Sequence, residues 1–307
     1  MPSQKNTLIV LLGPTGVGKT ALSIHLANRF GSPIVSCDSR QFYREMSIGT
    51  AKPTPNELSL AEHHFVGHIS VTDRYSCGMF ELDALNKIEE IFSTNQIALM
   101  VGGSMLYIDA VCKGIDDFPT PDPALRKELH ALLENEGIEG LRAQLKLLDP
   151  DYYSKVDLKN PQRILKGVEV SLQTGKPYSS FLKQKAKQRN FEIVTIGLNQ
   201  PREELYERIN QRVDEMVANG LVDEVRSLLP YRNLVALKTV GYTEIFEFLD
   251  GKISLEKAIE LIKRNSRHYA KRQITWWQRD ASINWFHPEN VKEVEQFIEE
   301  QIQQSTV

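Results

Sequence analysis

Residues 7–20 read TLIVLLGPTGVGKT. The first six form a continuous apolar run stopped by Gly13-Pro14. Such a run is far too short to cross a bilayer, and it reads as a β-strand buried on both faces, the mark of a parallel sheet. The next eight, Gly13, Pro14, Thr15, Gly16, Val17, Gly18, Lys19 and Thr20, fit G-x-x-x-x-G-K-[ST], and residues 21–30 then place apolar side chains at helical spacing. Strand, glycine loop and helix in that order are the context this pattern needs to bind phosphate. The glycines let backbone N–H groups point inward, and the helix N-terminus adds its positive end. Lys19 is expected to supply a point charge, and the Thr20 hydroxyl suits Mg²⁺. The pattern specifies a diphosphate or longer, without specifying ATP.

Working outward, residues 33–37, 97–101 and 193–198 have the same buried-strand character. Between them, Phe80, Ala84, Ile88, Ile91 and Phe92 make a helical stripe. Alternating strands and helices predict a P-loop NTPase-like α/β fold, a parallel sheet flanked by helices. From Pro119, Pro121 and Pro123 the texture changes, with helices expected at 124–135, 138–148 and 161–174 and no strand before Ile193. The expected organisation is therefore a core of 1–118 and 192–307 with an inserted all-helical domain at 119–191. An acidic amphipathic stretch at 289–300 reads as a surface helix.

The chain has 307 residues, 41% hydrophobic and 25% charged, which is the composition of a folded globular protein and allows one large domain or two medium ones. A net charge of −3 excludes a uniformly basic nucleic-acid binder, but the distribution is uneven. Residues 155–189 hold nine Lys or Arg against Asp157 and Glu169, a local net of +7. Residues 261–279 hold Lys263, Arg264, Arg267, Lys271, Arg272 and Arg279 and no acid. Arg264, Arg267, His268, Lys271 and Thr275 fall near one helical face. Tyr269, Trp276 and Trp277 interleave, with the two tryptophans better read as core. Basic faces of this kind suit a phosphate backbone and unstacked bases. Cys37, Cys77 and Cys112 are widely spaced, without a CxxC pair, and are expected as reduced thiols of a cytoplasmic protein. His63, His64 and His68 lack the neighbours of a metal site.

A phosphate-loop ATPase ordinarily ends a second strand in an Asp for Mg²⁺. Here residues 97–101 run into Gly102-Gly103-Ser104 instead. The carboxylate at a strand end near the loop is Asp38, closing PIVSCD. Strand C-termini line the ligand crevice of an open α/β sheet, so Asp38 is expected to face the loop. There it would serve as a general base or a water-mediated Mg²⁺ ligand, its other reading being a helix N-cap.

Five ordered motifs add a resemblance. The run from Asp38 to Pro53, DSRQFYREMSIGTAKP, is similar to the signature of tRNA dimethylallyltransferases (tRNA isopentenyltransferases, the IPP transferase family). Val101-Gly102-Gly103-Ser104-Met105-Leu106-Tyr107 resembles that family's second glycine motif. Asn160-Pro161-Gln162-Arg163, Val240-Gly241-Tyr242 and the run from Lys271 to Trp276, KRQITW, resemble later ones. The resemblance implies transfer of a dimethylallyl group from dimethylallyl diphosphate to N6 of the adenosine 3′-adjacent to the anticodon. It implies Asp38, Ser104 and Arg126 as catalytic residues, Ser104 standing where the family usually has Thr. It implies diphosphate on residues 13–20, with Mg²⁺ at Thr20. It implies tRNA contacts at Asp38, Ser39, Arg40 and Gln41, and in the insertion at Gln162, Arg163, Ile164, Leu165 and Lys166. Lys271 and Arg272 on the basic helix are expected to join them. Read alone, Arg126 is equally a solvated arginine, and Gln162 to Lys166 a polar helix start. A chain without an appended Cys/His zinc finger resembles the bacterial members; no membrane partner and a monomer are expected. The competing readings are a small-molecule phosphate-loop kinase, a prenyltransferase of free adenine nucleotide, and an RNA-binding module that only senses nucleotide.

Overall fold

The computed structural model describes residues 5–182 and 186–304. The chain forms two compact units, Met1–Cys112 with Gln188–Val307, and Lys113–Lys187. In chain order, the first unit holds β1 (Thr7–Leu12), α1 (Lys19–Phe30), β2 (Ile34–Cys37), α2 (Pro55–Leu60), β3 (His63–His64), α3 (Cys77–Phe92), β4 (Ile97–Gly102) and α4 (Met105–Lys113). The second holds α5 (Pro123–Glu136), α6 (Ile138–Leu148), α7 (Pro150–Tyr153) and α8 (Pro161–Thr174). The first then resumes with β5 (Glu192–Leu198), α9 (Arg202–Ala218), α10 (Leu221–Ser227), α11 (Tyr242–Leu249), α12 (Leu255–Trp277), β6 (Asn284–Phe286) and α13 (Val291–Gln304).

The sheet is parallel throughout, in the order β3-β2-β4-β1-β5-β6. All six residues of β1 are buried, as a strand covered on both faces must be. Alternate side chains divide between two cores. Leu8, Val10, Leu12, Ala98 and Met100 pack with Phe80, Ala84 and Ile88 of α3. Ile9, Leu11, Leu99, Val101, Ile196 and Leu198 pack with α1, with Leu205 and Ile209 of α9, and with Val294 and Ile298 of α13. The acidic 289–300 stretch is thus a helix with one face in the core. Its outer acids meet α1, where Glu295 lies 2.8 Å from His25 and Glu299 2.6 Å from Arg29. A third core joins α9 to α12 with Tyr43, Met46 and Val71. β3 and β6, two and three residues long, are too short to leave a pattern in the sequence.

Register explains where the site forms. Leu12 pairs with Gly102 and with Gly197, and Cys37 pairs with Gly102. The chain therefore leaves β1, β2 and β4 at one level, bringing Gly13, Asp38 and Gly103 out together at the C-terminal edge of the sheet.

In the second unit, Leu129, Leu141, Leu145, Ile164, Leu165 and Val168 form one core between α5, α6 and α8. Its bounds differ from the expected 119–191. It begins earlier, at Lys113, with Phe118 stacked on Tyr178 at 5.2 Å and Asp117 accepting from Lys187 Nζ at 3.0 Å. Arg189 belongs instead to the first unit, where its guanidinium is held by Glu81 and the Ala110 and Val111 carbonyls. Among the described residues, no helix is long and apolar enough to cross a membrane.

Candidate active site

The phosphate loop turns into α1 through Gly18, the N-cap, at φ 103°. That left-handed conformation strains any residue with a Cβ, and a side chain there would also meet Arg208 at 3.3 Å. The turn leaves the first N–H groups of α1 without intrahelical partners, facing the loop. Lys19 Nζ donates to the Gly13 and Pro14 carbonyls, both at 2.9 Å. Burial lowers its pKa to about 8; Asp38 opposes that shift and Arg212 adds to it. Asp38 is thus close enough to Lys19 to support its charge. Arg212 is itself lowered, chiefly by burial and then by Arg208. Lys19, Arg208 and Arg212 therefore gather positive charge around the loop, with Asp38 acting on both Lys19 and Arg212, and Glu215 and Glu57 acting on Arg212.

Asp38 does not cap a helix. Its Oδ1 accepts the N–H of Arg40 at 3.1 Å and its carbonyl accepts the N–H of Gln41, a turn closed by its own side chain. Among the described residues, Oδ2 has no hydrogen-bond partner, and neither does the Thr20 hydroxyl. Ser104 is 6% exposed. Its hydroxyl accepts Ser39 N–H at 2.8 Å and donates to Ser39 Oγ at 3.0 Å. Both bonds fix the turn that carries Asp38. Arg40 donates to the Val235 carbonyl at 3.3 Å. Gln41 Nε2 donates to the carbonyls of Thr50 and Ala51.

Several other expected residues are placed differently from the sequence reading. The Thr15 N–H, expected on phosphate, donates to Gln273 Oε1 at 2.9 Å. Ile164 and Leu165 are 0% and 3% exposed in the core of the second unit, so their side chains cannot meet RNA, whereas Gln162 and Arg163 are exposed. Arg126 places its guanidinium fork on Glu169, at 2.6 and 2.8 Å, and Lys166 Nζ lies 3.7 Å from the same carboxylate. Glu169 is wholly buried, so the pair meets its desolvation by charge-assisted bonds. Of the 155–189 cations, Lys155, Lys159, Arg163 and Lys176 are exposed, Lys187 pairs with Asp117, and Lys183 and Lys185 lie outside the described residues. On α12, Arg264, His268, Lys271, Arg272 and Thr275 are exposed. Arg267 leaves that face to donate to Asn210 at 2.6 Å, and Lys263 pairs with Asp214. Trp277 is core, and Trp276 donates to Asp109 at 3.0 Å.

Arg208 and Arg212 escaped the sequence reading, whereas Tyr269 entered it only as an aromatic of the basic helix and Gln273 only as a letter of the KRQITW motif. Arg208 and Arg212 stand one helical turn apart on α9. Gln273 continues the buried stripe of Ala270 and Trp277. A polar residue in an apolar stripe was the available signal.

A strand, glycine loop and helix opening a parallel sheet, with cations gathered at its C-terminal edge, define a phosphate-loop α/β protein. The sequence model of the IPP transferase family matches residues 41–280, and the chain belongs to that family. A tRNA dimethylallyltransferase 2 of Porphyromonas gingivalis is 55% identical over 289 residues, covering 94% of this chain and 96% of that protein. A tRNA dimethylallyltransferase of Christiangramia forsetii is 52% identical over 298 residues, covering 97% and 99%. The crystal structure of the full-length tRNA isopentenylpyrophosphate transferase of Bacillus halodurans is similar with a TM-score of 0.72 at 35% identity, covering 98% of each chain. A eukaryotic dimethylallyltransferase solved acting on tRNA is similar with a TM-score of 0.79 at 27% identity, covering 94% of this chain and 75% of that one.

Proposed function

We propose that this protein transfers a dimethylallyl group from dimethylallyl diphosphate to N6 of the adenosine 3′-adjacent to the anticodon of tRNA. Besides the family, one observation carries the reading. A carboxylate with a free oxygen, Asp38 Oδ2, emerges at the sheet edge beside a phosphate loop that has no strand-end acid of the ATPase kind.

The adenine N6 lone pair is delocalised into the ring, so it attacks weakly. Rate comes from stabilising the leaving group and removing the N6 proton. The allylic C–O bond breaks with its electron pair going to diphosphate, the N6–C bond forms, and the N6 proton passes to Asp38. The α1 N–H groups, Lys19, Arg208 and Arg212 offset the diphosphate charge. Asp38 acts as general base, worth about 10²–10⁴-fold. Mg²⁺ would be held by the Thr20 hydroxyl and substrate oxygens, supplying further charge neutralisation. One protein hydroxyl as donor, with substrate oxygens, suits an ion that keeps most of its waters. Arg163, Lys155, Lys271 and Arg272 are proposed as the tRNA phosphate contacts. The target base must leave its stack, which costs least in a loop.

The test is incubation with labelled dimethylallyl diphosphate, Mg²⁺ and either an anticodon stem-loop or AMP. Label is expected on the stem-loop. Label on AMP alone would favour a free-nucleotide enzyme, and ATP turnover without label transfer a kinase.

A further inference from the structure

We propose that Gln273 is a positioning residue that fixes the phosphate loop for the diphosphate, an inference that rests on the function proposed above. Gln273 is 1% exposed on the inner face of α12. Its Oε1 accepts Thr15 N–H at 2.9 Å and its Nε2 donates to the Gly103 carbonyl at 2.8 Å. One partner is a donor and the other an acceptor, so the amide fits in one orientation only. The side chain thereby ties the loop after β1 to the glycine turn after β4. Space is reserved for this tie: a Cβ on Gly103 would stand 2.6 Å from Gln273 Nε2, and 3.7 and 3.8 Å from the Gly13 carbonyl and Lys19 Nζ. Gly103, Gly13 and Lys19 thus form one cluster around the amide. One turn earlier on α12, the Tyr269 hydroxyl approaches the same Gly103 carbonyl at 3.5 Å.

This arrangement settles a division of labour among the loop N–H groups. Thr15 N–H belongs to Gln273, and Val17 N–H turns back to the Pro14 carbonyl. The N–H groups left to face an anion among the described residues include those of Gly16 and Gly18 and those at the start of α1, beside Lys19, whose own ammonium rests on the Gly13 and Pro14 carbonyls. Moving the Thr15 peptide moves those carbonyls and the ammonium with them. Gln273 touches no reacting atom in this account; it acts through the loop. Its immediate neighbours Lys271 and Arg272 are exposed, so one segment of α12 carries both the loop tie and two proposed tRNA contacts.

The test uses the full chain with Gln273→Leu, Gln273→Glu and Gln273→Asn. KM is measured for dimethylallyl diphosphate and for the stem-loop, and Kd for inorganic diphosphate by titration calorimetry. Gln273→Leu should raise KM for dimethylallyl diphosphate and Kd for inorganic diphosphate together, by about tenfold, the loss expected from two hydrogen bonds. KM for the stem-loop should stay within about twofold, since the phosphate contacts that dominate RNA affinity are untouched. Gln273→Glu keeps the acceptor for Thr15 but sets a carboxylate against the Gly103 carbonyl and adds negative charge beside the anion site, so it should weaken diphosphate binding at least as much as Gln273→Leu. If Gln273→Leu does not fold, Gln273→Asn carries the same expectation, because it keeps the amide but is one methylene short of spanning both partners. Unchanged diphosphate affinity, or an equal rise in both KM values with a lowered Tm, would overturn the positioning role. Wild-type protein run alongside separates the two proposals, since wild type that transfers no label defeats the proposed function itself.

Discussion

The Tyr242 hydroxyl donates to Glu224 Oε1 at 2.6 Å, and the same carboxylate accepts three consecutive backbone N–H groups, Ser47 at 2.9 Å, Ile48 at 2.7 Å and Gly49 at 3.0 Å. Residues 47–49 lie in the segment whose Thr50 and Ala51 carbonyls accept Gln41. One carboxylate on α10 and one phenol on α11 therefore hold a loop that supports the Asp38 turn. Burial, and then the charge of Glu224, push the Tyr242 hydroxyl well above its ordinary pKa, so it stays protonated and donating.

Tyr242→Phe should therefore destabilise the protein by about 1.5–3 kcal/mol, the range for a hydrogen bond to a charged group, as measured by urea unfolding. Glu224→Ala should cost more, because it strands three N–H groups and the phenol at once. The double variant should be less destabilised than the sum of the two, by a coupling of about 0.5–3 kcal/mol. Strict additivity would mean that the two side chains act independently.

How far this was legible in the sequence depends on the kind of contact. Thr7 to Thr20 announced a buried strand, a loop and a helix, because the strand must be apolar on both faces and the loop must contain glycine. The strand ends then placed Asp38 by the general rule for open sheets. The motif Val240-Gly241-Tyr242 was visible as letters but not as a clasp, since its partner Glu224 is an ordinary surface-type residue 18 positions away. Gln273 bonds Thr15 across 258 positions, a pairing that no local periodicity encodes. Ile164 and Leu165 show the opposite error, in which a motif suggested RNA contact while the apolar side chains belonged to the core of their own unit.

Asp38→Asn is the cleaner probe of the base. The amide oxygen can still accept Arg40 N–H, so the turn survives, while the basic carboxylate oxygen is lost. The expected result is a kcat about 10²–10⁴-fold lower with stem-loop binding retained, read by single-turnover transfer and by a binding titration. An unchanged kcat would remove Asp38 from proton transfer.

Lys19 gives a pH signature with two opposite signs. Its pKa is about 8 in the folded protein and near 10.5 for an ordinary lysine, burial being the main cause. Between those values the unfolded chain binds more protons, so this residue makes stability rise with pH across that window. Affinity for inorganic diphosphate should move the other way, weakening as pH rises past about 8 and the ammonium charge is lost. Asp38→Asn removes the charge that opposes the shift, so the weakening should begin at lower pH in that variant. Titration calorimetry at several pH values, in wild type and Asp38→Asn, checks both. A Lys19→Met variant should lose the pH dependence along with most of the affinity.

Lys271 and Arg272 are exposed side by side on a helix whose stretch from 261 to 279 carries no acid. If they meet tRNA phosphates, each releases counterions on binding, and each phosphate contact contributes about 0.7–0.9 to the slope of log K against log salt. Replacing both with Gln should then flatten that slope by about 1.4–1.8 and weaken stem-loop binding most at low salt. The same double substitution leaves the adjacent Gln273 and its bonds to Thr15 and Gly103 in place, so KM for dimethylallyl diphosphate should not follow. Fluorescence anisotropy of a labelled stem-loop across a salt series measures the slope directly. An unaltered slope would assign the RNA surface to the other exposed cations, of which Arg163 and Lys155 are the next to replace.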